Sequence, residues 1–226
     1  IITFDAHDPR VQNAIPLSGF ESIMPTYQML KAMCHTYDDL RIDKHHMMVI
    51  SPDEGALNRN IYYSSAMGVD MGMFYKRRDY TRVVNGRNPI VAHEYLGDSV
   101  EGKDVFVADD IIASGDSILD LAYNLKKRKA KRVFAGATFA FFTSGLEAFD
   151  KAYADGVIDH VFATNLTYTP QAVLDRPWFS QADMSKYMAF VIATLNHDQS
   201  LSYLLNPWNR IEKLLTKYRA EHPHND

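Results

Sequence analysis

The segment VFVADDIIASGDS, residues 105–117, is the most informative part of the sequence, because a strand pattern, an acidic pair and a small loop follow one another in it. It opens with an apolar run that is typical of a strand buried on both faces of a parallel sheet. Two adjacent carboxylates, two aliphatic residues and a small hydroxyl-rich loop follow, and residues 118–127 then have helical spacing. The loop is therefore predicted at the carboxyl end of a strand, where open α/β sheets bind ligands.

This loop has the chemistry of a site for a phosphorylated sugar. Its backbone amides open a helix and, with two hydroxyls, are expected to surround a phosphate dianion. The paired carboxylates are placed to accept hydrogen bonds from the vicinal hydroxyls of a ribose. The plainer alternative is a loop that only caps a helix, after acids that only end a strand. We predict a ribose-phosphate site formed by Asp109, Asp110, Ser114, Gly115, Asp116 and Ser117.

Strand-like and helix-like segments alternate along the rest of the chain. With right-handed crossovers, they predict an α/β fold with a mainly parallel sheet and helices on both faces. The predicted strands are residues 1–4, which read as buried, 47–51, 71–75, 132–138 and 160–163. The predicted helices are residues 21–36, 55–67, one starting near Ser144 and a terminal amphipathic helix at 206–220, while 77–91 reads as a polar loop.

The segment 105–117 resembles the phosphoribosyl-diphosphate signature of type I phosphoribosyltransferases. Flanking blocks resemble, in order, those of ribose-phosphate pyrophosphokinase, and the resemblance covers roughly residues 3–205. The blocks are TFDAHDPRVQNAIP (3–16), VISPDEGA (49–56), YKRRD (75–79) followed by Gly97-Asp98, residues 133–165 with their Thr-Ser-Gly and Thr-Asn turns, and SLSYLL (200–205), which resembles the closing strand.

The resemblance implies transfer of the diphosphoryl group of ATP to C1 of ribose 5-phosphate, giving AMP and phosphoribosyl diphosphate. Such a reaction needs positive charge around the transferred group. Lys76 and Arg78 lie two residues apart and share one face of an extended segment, so we predict them as the catalytic residues. Arg77 is predicted on the opposite face. A solvated strand end is the alternative interpretation of this run.

The resemblance also implies magnesium as the cofactor, with His7 and Asp53 as its protein ligands. ATP phosphates and water would complete the octahedron, because magnesium seldom has an all-protein cage. By itself, His7 could equally be a surface histidine after a strand. His45 and His46 receive no ligand role, since adjacent strand residues face opposite ways.

Four residues depart from the family pattern, and they leave two other functions open. Ala113 and Asp116 stand where the family usually has Asp and Gly, Phe139 replaces a common histidine, and Ala56 replaces a glycine. Ala113, Asp116 and Phe139 favour a non-catalytic regulatory subunit of the synthetase. The retained charged residues argue against it, because such a subunit has no physical need for them: Lys76, Arg78, His7 and Asp53. A nucleobase phosphoribosyltransferase would share the sheet and loop, but no base-binding block is apparent.

Composition narrows the class of protein. The chain has 226 residues, 46% of them hydrophobic, and a net charge of −4, which together indicate a globular domain without nucleic-acid binding. The basic run at 126–132 reads as a solvated helix end. One cysteine and no long apolar stretch favour a cytoplasmic protein that does not insert into membranes.

The resemblance further implies a domain division and an assembly. Family members have two homologous α/β domains, so residues 1–20 are expected to end an upstream domain that also supplies adenine-binding residues. Residues 21–205 are expected to form the phosphoribosyltransferase-like domain, and 206–226 a helical extension. A homo-oligomer with active sites near the subunit boundaries is expected, acting on ATP and ribose 5-phosphate.

Overall fold

A computed structural model describes residues 1–78, 81 and 90–223 of the chain, with the backbone alone for 76–78 and 90–93. The strands are β1 (Ile2–Phe4), β2 (Glu21–Ile23), β3 (Met47–Ser51), β4 (Asp70–Arg78), β5 (Ile90–Leu96), β6 (Asp104–Ile112), β7 (Arg132–Ala140), β8 (His160–Thr164) and β9 (Phe179–Ala182). The helices are α1 (Thr26–Thr36), α2 (Leu57–Met67), α3 (Asp116–Lys127), α4 (Glu147–Ala154), α5 (Gln171–Leu174), α6 (Ser185–Asn196), α7 (Ser202–Leu205) and α8 (Trp208–Glu221), with a 3₁₀ helix at Pro9–Ala14.

In the described part of the chain, the main sheet has seven strands in the order β5-β4-β3-β6-β7-β8-β9. Every neighbouring pair is parallel except β4 and β5, which are antiparallel. The mainly parallel α/β fold predicted from the sequence is therefore confirmed. The chain leaves β3 for β4 on one side and later returns to place β6 on the other. The carboxyl ends of β3 and β6 thus form a topological switch point, where such sheets bind ligands.

Helices cover both faces of this sheet, as the uninterrupted apolar strands predict. Successive residues of β6 alternate between two separate cores: Val105 and Val107 pack with α3 and α4, while Phe106 and Ala108 pack with α1, α2 and α8. The same alternation recurs in β3, β7 and β8. This double coverage holds the strand that carries the acidic pair rigidly between two layers.

The predictions for the amino-terminal segment need two corrections. The strand at residues 2–4 is only half-buried, because it pairs with β2 in a separate two-stranded parallel sheet in the described part of the chain. The helix predicted from Glu21 begins instead at Thr26, after β2. Pro25 occupies the position before the helix, and proline disfavours helical backbone angles in the residue that precedes it.

Two further predictions differ from the structure. The ends of the predicted polar loop belong to strands, because β4 continues to Arg78 and β5 begins at Ile90; residues 79–80 and 82–89 between them lie outside the described residues. The predicted closing strand at 200–205 contains the helical turn α7. The hydroxyl of Ser200 accepts a hydrogen bond from the Ser202 amide at the start of this turn. Leu201 and Leu204, three residues apart, both pack beside α6, and this spacing suits a helix.

The terminal helix is confirmed as α8, and it packs on α1 and α2. The hydroxyl of Tyr218 donates to the Tyr37 carbonyl and accepts from the Leu40 amide, which fixes the long connection between α1 and β3. None of the described helices is long and apolar enough to cross a bilayer.

Candidate functional site

A cleft of about 350 Å³ lies at the switch point, between the loop after β3 and the loop after β6. Its walls are Pro52 and Asp53 from the first loop, Asp109 from β6, and residues 111–115, 117–118 and 120–121 from the end of β6, the following loop and the first turns of α3. We call it the small cleft. It contains Ser114, Gly115 and Ser117 of the predicted ribose-phosphate site.

The loop at the floor of the small cleft has the backbone of an anion site. Gly115 precedes α3 with a φ of 94°, which a side chain rarely tolerates, and a β-carbon there would overlap the ring of Phe149. Phe149 stacks on Trp178, and the Ala113 carbonyl accepts from the Thr143 amide. The loop is therefore supported from below, and the first amides of α3, which have no intrahelical acceptor, lie at the cleft.

Asp116 has a defined place in this loop. Its carboxylate accepts a hydrogen bond from the Ser114 hydroxyl at 2.9 Å, and the residue lies in the first turn of α3. The helix N-terminus stabilises a carboxylate there, as it would stabilise a phosphate. A phosphate bound at this loop would therefore lie near the negative charge of Asp116 and near a Ser114 hydroxyl that already donates its hydrogen to Asp116.

The acidic pair lies inside β6, near its carboxyl end, and does not follow the strand, since β6 continues to Ile112. Burial, followed by the neighbouring Asp110 carboxyl, raises the pKa of Asp109 to about 7. Burial alone would also raise the pKa of Asp110. Hydrogen bonds to Asp109 and His7, with the positive charge of Arg59, outweigh burial and lower that pKa below its usual value. The two carboxyls therefore differ in proton affinity although they are adjacent.

A larger cleft of about 910 Å³ adjoins the small one and shares Asp53, Asp109 and Ile111 with it. Its other walls include Tyr75 of β4 and the segment that follows β1. Three parts of the chain supply the rest of its lining. The segment after β1 gives His7, Asp8, Pro9 and Arg10, the loop after β3 gives Glu54, Gly55 and Ala56, and α2 gives Asn58 and Arg59, together with Asp110 of β6. We call it the large cleft.

His7 and Asp53 both line the large cleft, as the sequence predicts for a magnesium site. Nδ1 of His7 lies 2.6 Å from Asp110, an arrangement that orients an imidazole and leaves Nε2 for another partner. This hydrogen bond and the Asp110 charge raise the pKa of His7. Within the described ranges, no three His, Cys, Asp or Glu residues cluster closely enough to hold a metal alone. A magnesium ion held by His7 and Asp53 would take its other ligands from phosphates and water, as is usual for magnesium.

The predicted catalytic pair can be placed only by its backbone. Lys76 and Arg78 belong to β4, where Lys76 pairs with His93 and Arg78 with Ile90 of β5. Their side chains lie outside the described part of the structure, so their catalytic role stays a prediction. Ala56, the departure from the family glycine, has an ordinary φ of −87° and needs no strained backbone.

Sequence reasoning missed Arg59, which lies between the acidic pair and the start of the chain. Its guanidinium donates to both carboxylate oxygens of Asp5, at 2.8 to 3.1 Å, and approaches Asp109 and Asp110 at 3.6 and 3.8 Å. The only sequence signal is a cation one helical turn after the SPDEGA block. That signal is weak, because a cation on a helix usually faces solvent.

Comparison with known proteins identifies the family. The model of the phosphoribosyl transferase domain matches residues 22–165, more than half of the chain. The chain belongs to the phosphoribosyl transferase domain family. The matched region of this phosphoribosyl transferase domain includes the Asp53 loop, Asp109 and the loop that the sequence predicts to bind phosphate, which together line the small cleft. We call that predicted segment, residues 113–117, the phosphate loop.

Curated relatives narrow the similarity within that family. The domain is 28% identical over 207 residues to ribose-phosphate pyrophosphokinase of Chromobacterium violaceum, covering 91% of this chain and 58% of the relative. It is 30% identical over 208 residues to the enzyme of the same name from Vibrio cholerae, covering 91% and 60%. The chain thus spans about three-fifths of the length of the curated relatives it matches.

A solved structure shows the same fold. Phosphoribosylpyrophosphate synthetase from Mycobacterium smegmatis superposes with a TM-score of 0.69, at 20% identity, over 88% of this chain and 59% of that one. At this identity the likeness concerns the architecture. It agrees with a mainly parallel sheet whose helices cover both faces.

Proposed function

We propose that this phosphoribosyl transferase domain forms phosphoribosyl diphosphate, transferring the diphosphoryl group of ATP to the C1 hydroxyl of ribose 5-phosphate and releasing AMP. The observation that carries the proposal is the shared wall of Asp53, Asp109 and Ile111 between the two clefts. A reaction between two phosphorylated substrates gains most of its rate from holding them side by side. The names of the relatives support the same reaction.

The small cleft would hold the sugar phosphate. The amides at the start of α3 and the hydroxyls of Ser114 and Ser117 would bind the 5-phosphate. Asp109 at the shared wall and Asp110 in the adjoining large cleft would accept from the two ring hydroxyls. Gripping the sugar at both ends leaves its C1 hydroxyl in a defined position. That position is the precondition for attack on a phosphoryl group in the neighbouring cleft.

The large cleft would hold the nucleotide phosphates. His7 and Asp53 would hold a magnesium ion, which supplies charge neutralisation at the phosphate oxygens. Arg10, which is ion-paired with Asp8 at 2.6 Å, also lines this cleft. Lys76 and Arg78 would stabilise the negative charge on the transferred group, since phosphoryl transfer depends on positioning and electrostatics.

A non-catalytic regulatory subunit is the second candidate. The hydrogen bond between Ser114 and Asp116 favours it, because both groups stand where the incoming phosphate needs donors and no negative charge. We propose a cytoplasmic homo-oligomer as the setting of either function, as the family resemblance implies.

The test is AMP formation by the chain with magnesium, ATP, ribose 5-phosphate and inorganic phosphate, run beside a control without the sugar. Sugar-dependent AMP is the expected result. Ribose 5-phosphate binding without AMP formation would contradict it and favour the regulatory subunit. Isothermal titration with the sugar alone gives the binding measurement that separates these outcomes.

A further inference from the structure

Arg59 lies behind the acidic pair, in a place where its guanidinium cannot easily move. Its side chain is only 9% exposed, and it binds Asp5 through Nε and Nη2 at 2.8 to 3.1 Å. Asp5 is itself buried and also accepts from the Thr138 hydroxyl of β7 at 2.6 Å. The planar fork of the guanidinium is therefore fixed by α2, the end of β1 and β7.

The fixed guanidinium faces both members of the acidic pair. Nη1 lies 3.6 Å from Oδ1 of Asp109, and Nη2 lies 3.8 Å from Oδ1 of Asp110. His7 binds the other oxygen of Asp110 at 2.6 Å. A cation on the buried side of two neighbouring carboxyl groups attracts one oxygen of each and so biases their orientation.

We propose that Arg59 is a positioning residue that orients Asp109 and Asp110 toward the ribose 2- and 3-hydroxyls, an inference that rests on the proposed function. Arg59 touches neither hydroxyl in this account. It attracts one oxygen of each carboxylate from behind, which directs the remaining lone pairs into the clefts. The discrimination of a ribose from a sugar that lacks a hydroxyl then depends on Arg59.

The experiment compares the affinities of ribose 5-phosphate and 2-deoxyribose 5-phosphate by isothermal titration. A hydrogen bond from a sugar hydroxyl to a charged acceptor predicts a wild-type preference for ribose of about 10- to 100-fold. In Arg59→Gln we expect the preference to fall below about 3-fold. The affinity for inorganic phosphate, which probes the phosphate loop alone, should change by less than about 2-fold.

Two further variants keep the result interpretable. Arg59→Lys retains the charge but not the fork, so we expect an intermediate preference, and this variant carries the test if Arg59→Gln does not fold. Lys129→Gln removes a charge from an exposed pair with Glu101 and should keep the wild-type preference. If the affinities for both sugars and for phosphate fall together in Arg59→Lys as well as in Arg59→Gln, Arg59 supports the fold and not the orientation of the acidic pair, and that result overturns the inference.

The outcomes also separate this inference from the proposed function. A wild-type preference that persists in both Arg59 variants overturns the positioning role and leaves the proposed function intact. A wild-type protein that binds neither sugar overturns the proposed function and the inference with it.

Discussion

Nδ1 of His7 lies 2.6 Å from Oδ2 of Asp110, although 103 residues separate the two in the chain. His7 follows β1, which belongs to the small two-stranded sheet, while Asp110 lies near the carboxyl end of the central strand β6. Together with the ion pair between Arg59 and Asp5, this contact joins the start of the chain to the edge of the main sheet. That junction places His7 beside Asp110 in the large cleft.

Replacing Asp110 with Asn should lower the pKa of His7 toward its ordinary value. The Asp110 hydrogen bond, followed by its charge, is what raises that pKa, so the neutral amide removes both contributions. The measurement is an NMR titration of the His7 ring protons. Asp120→Asn, which changes a carboxylate of the small cleft, is the control. An unshifted His7 titration in Asp110→Asn would contradict the assigned contact.

His160 predicts a loss of stability in weak acid. Burial lowers its pKa to about 4 from an ordinary 6.5, so the unfolded chain takes up a proton that the folded chain refuses. The contribution of His160 to the free energy of unfolding is fully present above pH 6.5. It is lost as the pH drops from 6.5 to 4, by at most about 3 kcal/mol. Urea unfolding at several pH values measures it.

His160→Gln should remove one proton from the number that unfolding takes up in acid, so the free energy of unfolding should depend less on pH. Glutamine keeps a hydrogen-bond partner for the Ser180 hydroxyl, which lies 2.8 Å from Nε2 of His160. The slope of the free energy of unfolding against pH between 4 and 6.5 is the decisive quantity. An equal slope in the wild type and the variant would refute the prediction.

Gly115→Ala should destabilise the fold and weaken phosphate binding. The new methyl group meets the Phe149 ring, and the φ of 94° is unfavourable for alanine, so we expect a loss of about 2–4 kcal/mol. Gly102→Ala is the matched control, because Gly102 has a φ of 75° with open space around it and should lose only about 1 kcal/mol. Equal losses in the two variants would show that Phe149 does not support the loop.

Lys76→Ala should reduce turnover by at least about 100-fold and leave ribose 5-phosphate binding unchanged, since a charge that acts on the transferred group is needed only in the transition state. Arg77→Ala is the control, because strand alternation predicts its side chain on the other face of β4. Rates of AMP formation and sugar titrations on both variants test this. Unchanged turnover in Lys76→Ala would exclude the catalytic role.

Asp116→Asn should bind ribose 5-phosphate several-fold more tightly than the wild type. The substitution removes a negative charge beside the phosphate loop and weakens the acceptor that engages Ser114. The variant should also unfold at slightly lower urea concentration, since the start of α3 loses a favourable carboxylate worth about 0.3–1 kcal/mol. Asp155→Asn, an exposed acid after α4, controls for net charge; similar affinities in all three proteins would contradict this account.

The phosphate loop was predictable because its signals are local. An apolar strand, two acids, a small loop and a helix follow one another within residues 105–127, and all four appear in the structure. β2 and α7 were mistaken for other elements, because segments of three or four residues have no period long enough to read. β5 was missed because it follows a polar run whose pairing with β4 is a tertiary contact.

The sequence alone determined that this chain folds as a mainly parallel sheet with a small hydroxyl-rich loop at its carboxyl edge, since apolar runs and helical spacing act over a few residues. The tertiary structure decided which side chains meet around the acidic pair. Arg59 reaches Asp5 across 54 positions and His7 reaches Asp110 across 103. Partners so far apart leave no local pattern, because only the packing of β1, α2 and β6 brings them together.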